Sequence, residues 1–220
     1  EGEQQFASSY LPISSLVIHK SGTVKFNADS IKITERLHFI DGVLTSDNST
    51  RFIVESGAEI THELGSDSYY EGVITSRGTG YRIFPVGNNG YFGTLAFLEM
   101  QGSGSSTEID VSLIHDPIAA TPGPGLIGVS DHNRWKIQLN KGEISESVIQ
   151  IDFTEEDIES FTNPNNIRHK FSTPVIAVAD SIQGAYSSLG IESLYDTDSV
   201  SFGIITSGES ASFVRGASRY

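Results

Sequence analysis

Cysteine is absent from all 220 residues, which excludes disulfide staples, thiolate metal sites and a cysteine nucleophile. A chain of this length buries enough apolar surface to fold without such staples. Basic residues are scarce: 14 Lys and Arg stand against 28 Asp and Glu, a formal charge of −14. The acids are spread along the chain, and no basic face is left to neutralise phosphates, which argues against a nucleic-acid partner. No run of 18 apolar residues occurs, so no helical membrane-spanning segment is expected. The opening EGEQQF has neither the charged nor the apolar region of a signal peptide. With one Met and abundant Ser, Thr, Gly and Asn, the composition points to an extracellular or outer-membrane surface location after removal of a leader. Helical periodicity is also scarce. Only TEEDIESF, residues 154–161, has it, with Thr154 as a cap and acids in the first turn.

What is present is strand vocabulary. Short runs rich in Val, Ile, Phe and Thr alternate with Gly, Ser, Asn and Asp, the pattern of strands and turns. Between residues 16 and 75 the runs are only three or four residues long, too short to bury much alone, so they must stack. Two words recur there. VIHKSG at 17–22 aligns with FIVESG at 52–57, an offset of 35, and GVLTS at 42–46 aligns with GVITS at 72–76, an offset of 30. The recurrence predicts about two stacked coils with Val43, Leu44, Val73 and Ile74 in the interior. A third copy, FGIITS at 202–207, reads as a strand of similar vocabulary elsewhere.

Beyond residue 98 the strands are longer and evenly spaced. AFLEM leads through QGSGSS into TEIDVSLIH, which reads as a strand pair with a Gly and Ser tip. DPIAATPGPG at 116–125 reads as a linker. HNRWKIQL and SESVIQIDF alternate cleanly, and Trp135 is expected to fill the core. The expected fold is all-β, with short N-terminal β-solenoid-like coils packed on a C-terminal antiparallel β-sandwich. The two regions are residues 1–98 and 99–220, or one continuous unit.

No convergent catalytic set appears, so the protein is read as non-enzymatic. The six histidines, His19, His38, His62, His115, His132 and His169, lack metal-ligand spacing. There is no nucleophile elbow, phosphate loop or dinucleotide fingerprint. Carboxylates such as Glu63, Asp67, Glu71 and Asp110 could form a glycosidase pair across a cleft, but a solvated acidic surface has the same composition. No cofactor is expected. DTDS at 196–199 resembles half a calcium loop, which makes a structural calcium the one candidate ion. Rings able to stack on a sugar are Tyr69, Tyr70, Tyr81, Tyr91, Phe92, Tyr186 and Tyr195. Tyr91 and Tyr186 are taken as the candidate glycan contacts.

The order GVLTSDNSTRFIVESGAEI, GSDSYYEGVITSRGTGYRIFPVGNNGYFGTLAF, NRWKIQL and TPVIAVADSIQGAYSSLG resembles cell-surface proteins of the Bacteroidota exported by the type IX secretion system, including gliding-motility adhesin-like proteins. The block at 66–87, ending in F-P-V-G, carries most of the resemblance. In that family such a region sits upstream of a C-terminal sorting domain. The phylum is similar in adding O-glycans at Asp-Ser/Thr-apolar triplets, which implies Ser30, Ser181 and Ser199 as acceptors. The resemblance implies an adhesive or structural role at the cell surface, with outer-membrane secretion or motility proteins, or further copies of the chain, as partners. Two alternatives stand beside it. One is a carbohydrate-binding module of a secreted polysaccharide-utilisation protein. The other is a subunit of an extracellular filament or outer-membrane complex.

Overall fold

From Val24 through Phe26 to Ala28 every second side chain is buried, and past Asp29 and Ser30 the alternation resumes with Ile31 and Ile33 on either side of Lys32. That alternation is the period of a strand with one face in a core, and it recurs through the chain. A computed structural model describes residues 4–47, 49–115, 121–151, 172–189, 193–194, 197–202, 205–206 and 208–219. The described residues are all-β, in one large mixed sheet, with no α-helix and one 3-10 turn, Gly104–Ser106. The candidate helix at 154–161 lies outside the described residues.

The strands are β1 (Gln4–Ser46), β2 (Arg51–Val54), β3 (Glu59–His62), β4 (Tyr69–Glu71), β5 (Ile74–Arg77), β6 (Arg82–Asn88), β7 (Tyr91–Gly102), β8 (Glu108–His115) and β9 (Thr121–Pro122). They continue as β10 (Leu126–Lys141), β11 (Glu143–Ile151), β12 (Ser172–Ala179), β13 (Ala185–Ser188), β14 (Ser193–Leu194), β15 (Thr197–Phe202), β16 (Ile205–Thr206) and β17 (Ser210–Arg219). The long β1 bends through successive ladders. Residues 30–33 pair in parallel with β2, residues 36–39 with β3, and residues 43–45 with β4. At one bend Gly42 has φ 90°. A Cβ there would lie 1.9 Å from the Lys20 carbonyl oxygen, so the close approach of two backbones admits only glycine.

Two of these parallel ladders run on into antiparallel pairing. In the first, β2 pairs in parallel with β5, after which β5, β8, β10, β17 and β12 pair antiparallel in that order. In the second, β4 pairs in parallel with β6, then β6 with β7, β7 with β11, and β11 with β15 antiparallel. One core lies between them. It runs without interruption from Ile31, Phe39 and Phe52 through Phe84 and Phe97 to Trp135, Ile149 and Phe213. The expected boundary between residues 98 and 99 falls inside β7. A small second cluster, Ala177, Ala179, Tyr186 and Val214 with Leu126 and Val129, covers the other face of the first ladder.

The recurrent words are not vertical neighbours. Leu44 is opposite Tyr70, and Ile74 is opposite Phe52. Leu44 and Ile74 are buried as expected, but Val43 is half-buried and Val73 is exposed. Partners in the parallel ladders, such as Ser30 with Arg51 and Val43 with Tyr69, are separated by less than the offsets of 30 and 35. A shift of 30 therefore carries the chain from one ladder into another. VIHKSG and FIVESG are likewise not paired, since residues 52–54 lie on residues 31–33. The expected hairpin at QGSGSS is also corrected. β7 pairs with β6 and β11 while β8 pairs with β5 and β10, so the turn at Gly104–Ser106 crosses between ladders.

Candidate functional site

On β7 the period of two sends Leu95 and Phe97 into the core and leaves Phe92, Thr94 and Ala96 on the other face. Register brings Ile83 of β6 and Gln150 of β11 to either side of Ala96. Residues 62–67, leaving β3, reach this same face. The result is a groove of about 380 Å³ lined by His62, Asp67, Tyr81, Phe92, Thr94 and Gln150 among others. That volume is within the range of small-ligand sites.

The overhanging turn is tied down by backbone carbonyls of the rung beside it. The Ser66 hydroxyl donates to the Ile40 oxygen at 2.7 Å and the Ser68 hydroxyl to the Gly42 oxygen at 2.7 Å. His62 Nε2 is 2.9 Å from the Ser68 oxygen, and the Glu63 amide donates to the Phe39 oxygen at 2.9 Å. Gly65 turns the chain with φ 76°. The floor is a run of rings: His62 stacks on Phe92 at 5.2 Å, and Phe92 on Tyr69 at 5.8 Å. Behind them a Cβ on Gly87 would lie 2.3 Å from the Tyr69 ring, so this glycine makes room for the stack. Burial, with the nearby Glu71 carboxylate, pushes the Tyr69 hydroxyl above its ordinary pKa and keeps it neutral.

The groove wall is amphipathic. Tyr81 is 56% exposed and Leu64 fully exposed at its rim. Asp67 is exposed, and among the described residues no lysine or arginine lines the groove. The Thr94 hydroxyl is buried and has no hydrogen-bond partner among the described residues.

A different arrangement marks the outer side of the first ladder. Lys32 on β1, Glu55 just past β2, Arg77 on β5 and Glu108 on β8 follow one another with alternating charge. Lys32 Nζ is 2.8 Å from Glu55 Oε1, Arg77 Nη1 2.9 Å from the same oxygen, and Arg77 Nε 2.8 Å from Glu108 Oε2. Arg51 and Lys141 approach Glu108 at 3.4 and 3.6 Å. The hydrogen bond from Lys32, aided by Arg77, holds the Glu55 carboxyl below its ordinary value. Burial pushes Glu108 up, but Arg77, Lys141 and Arg51 together outweigh it and leave that carboxyl lowered too. The ladder spends its charges on one another and is a structural staple.

Of the two expected sugar platforms, Tyr91 is 47% exposed. Its ring stacks on His115 with centroids 3.3 Å apart, and His115 stacks in turn on His132. Tyr91 does not line the groove. Tyr186 is corrected: it is fully buried in the second cluster, and its hydroxyl lies 2.7 Å from Ser212 Oγ and donates to the Ile182 oxygen at 3.2 Å. No sugar reaches that ring. Its environment comes from residues 122–129 and 182–189 folding over β12 and β17, which no local pattern announces. Ser30 is half-exposed and Ser181 exposed, while the Ser199 side chain lies outside the described residues.

The calcium candidate at 196–199 also falls largely outside the described residues. Among those described, no three His, Asp or Glu side chains converge to hold a metal. Of the candidate carboxylates, Asp110 accepts from the Thr75 hydroxyl at 2.7 Å, and Glu71 from the Asn89 amide at 2.9 Å. Gln150 is the groove residue that the sequence reading missed. Its only local signal is its polar place in the alternation of VIQI. The chain matches no family model, no curated protein and no solved structure.

Proposed function

We propose that the protein is a non-enzymatic extracellular cell-surface protein with an adhesive or structural role, exported across the outer membrane in the manner of the type IX secreted proteins it resembles. In this reading the parallel rungs are short solenoid coils, and the antiparallel strands are a sandwich that carries the same two ladders onward. The observation that supports it best is the unbroken passage of both ladders from parallel to antiparallel pairing over one core, stapled across its rungs by Lys32, Glu55, Arg77 and Glu108. Such a build suits a rod-like spacer that holds a surface outward without moving parts. Its partners are then outer-membrane secretion or motility proteins, or further copies of the chain.

The test is purification of the tagged protein from its own cells, with mass spectrometry of cytosol, envelope and medium. Recovery at the envelope with secretion or motility components, or as a homopolymer, is the expected result. Recovery from the cytosol alone sinks the reading.

A further inference from the structure

We propose that the groove over β6, β7 and β11 binds a neutral oligosaccharide, with Tyr81 as the stacking platform and Asp67 and Gln150 as the hydrogen-bonding groups. The proposal takes its biological purpose from the adhesive reading, whereas its chemistry rests on the groove alone. Tyr81 lines the groove with more than half its surface in water, and Phe92, stacked on Tyr69, lines it further along β7. A large, rigid ring with one apolar face covers the C–H face of a pyranose with little loss of side-chain freedom. Around this apolar strip stand the Asp67 carboxylate and the Thr94 hydroxyl, neither with a partner among the described residues, and the Gln150 amide, which both donates and accepts. Adjacent hydroxyls around a sugar ring are the ligand groups that complement a carboxylate and an amide set beside a ring.

Other occupants fit less well. A polyanion, such as a uronate or sulfated glycan, would meet Asp67 with no lysine or arginine among the described residues that line the groove, in a chain of net charge −14. An extended peptide joining by strand addition needs an open edge, whereas β7 is paired on both sides, with β6 and with β11. A purely apolar ligand would bury the Asp67 carboxylate and the Gln150 amide without replacing their hydrogen bonds to water. A neutral glycan satisfies the ring and the polar groups together.

The experiment is isothermal titration of the purified full chain with maltohexaose, cellohexaose, mannohexaose and xylohexaose, and with an oligogalacturonate as the anionic comparator. At least one neutral oligosaccharide is expected to bind with a millimolar or tighter Kd. Tyr81→Ala then raises that Kd by about tenfold or more, and Gln150→Ala by about fivefold. Tyr10→Ala, a similarly exposed ring away from the groove, leaves it unchanged. Far-ultraviolet dichroism and Trp135 emission confirm that each variant is folded. Binding by none of the neutral sugars, binding by the oligogalacturonate alone, or a Kd indifferent to both groove variants overturns the proposal. The fractionation result is independent. A glycan-binding protein found only in the cytosol would sink the adhesive reading and leave the groove assignment standing. A surface protein that binds no sugar would do the reverse.

Discussion

Arg77 and Glu108 face each other as a register pair at the seam where parallel stacking ends and antiparallel pairing begins, with Nε 2.8 Å from Oε2. Glu108 is 4% exposed, so its charge is tolerated only because Arg77, Arg51 and Lys141 surround it. Glu108→Gln keeps the shape and removes the charge. It is expected to destabilise the protein by about 1–3 kcal/mol, since Arg77 remains half-buried with one partner fewer. Urea unfolding followed by Trp135 emission measures this as a lower midpoint at unchanged slope.

The same carboxylates set a pH dependence. Unfolded, Glu55 and Glu108 titrate near their ordinary value of 4.5; folded, both titrate lower. The native state therefore binds fewer protons in this window, and stability is complete above about 4.5 and declines as pH falls through the lower folded values. Lys32, raised above its ordinary 10.5 by its hydrogen bond to Glu55, acts at the other end: its contribution is complete below 10.5 and is lost as pH rises past its folded value. Thermal unfolding from pH 7 down to pH 3 is expected to show a steep drop in Tm, shallower in the Glu55→Gln, Glu108→Gln double variant. Equal slopes for both proteins would remove the ladder as the cause.

Strand class was legible in the sequence because its signal is local. Ile31 and Ile33 alternate with Lys32 within a few residues, and the same period separates Leu95 and Phe97 from Thr94 and Ala96. Vertical partners were not legible. Which strand lies above Leu44 is decided by how many residues the corners take up, and GVLTS and GVITS are alike only because half-buried strands draw on the same residue types. The crossing at Gly104–Ser106 was missed for a similar reason, since a Gly and Ser turn reads the same whether the chain returns beside itself or passes to the other ladder. In the candidate site, Tyr81 and Phe92 were visible as rings. Gln150 was not, because it reaches the groove through a register with Ala96 that spans about a quarter of the chain. Tyr186 showed the converse: a tyrosine beside serines and glycines looks like a surface ring, and only distant covering segments bury it.

That burial has its own expected outcome. Tyr186→Phe removes the hydroxyl shared with Ser212 and is expected to cost about 1 kcal/mol. Tyr186→Ala also opens a cavity against Ala177, Ala179 and Val214, and its expected cost is about 3–5 kcal/mol. Neither change alters sugar binding in any variant that remains folded. A selective loss of glycan affinity in Tyr186→Phe, at unchanged stability, would return this ring to the list of contacts.

Gly87 links the fold to the groove. An added Cβ would lie 2.3 Å from two Tyr69 ring carbons and 2.6 Å from the Tyr91 carbonyl oxygen, and the latter is backbone that cannot swing aside. Gly87→Ala must therefore displace the Tyr69 ring, and with it Phe92 and His62, which stack on it in turn. The expected loss of stability is about 1–3 kcal/mol, accompanied by weaker binding of whichever neutral oligosaccharide the wild-type protein takes. Gly90→Ala is the comparison three residues away. It has φ 82° and nothing within 4 Å of the added carbon, so it strains the turn by about 1 kcal/mol without touching the ring stack. Calorimetric Tm and Kd measured on both variants separate the two effects: backbone strain lowers Tm alone, and displacement of the ring floor lowers Tm and affinity together.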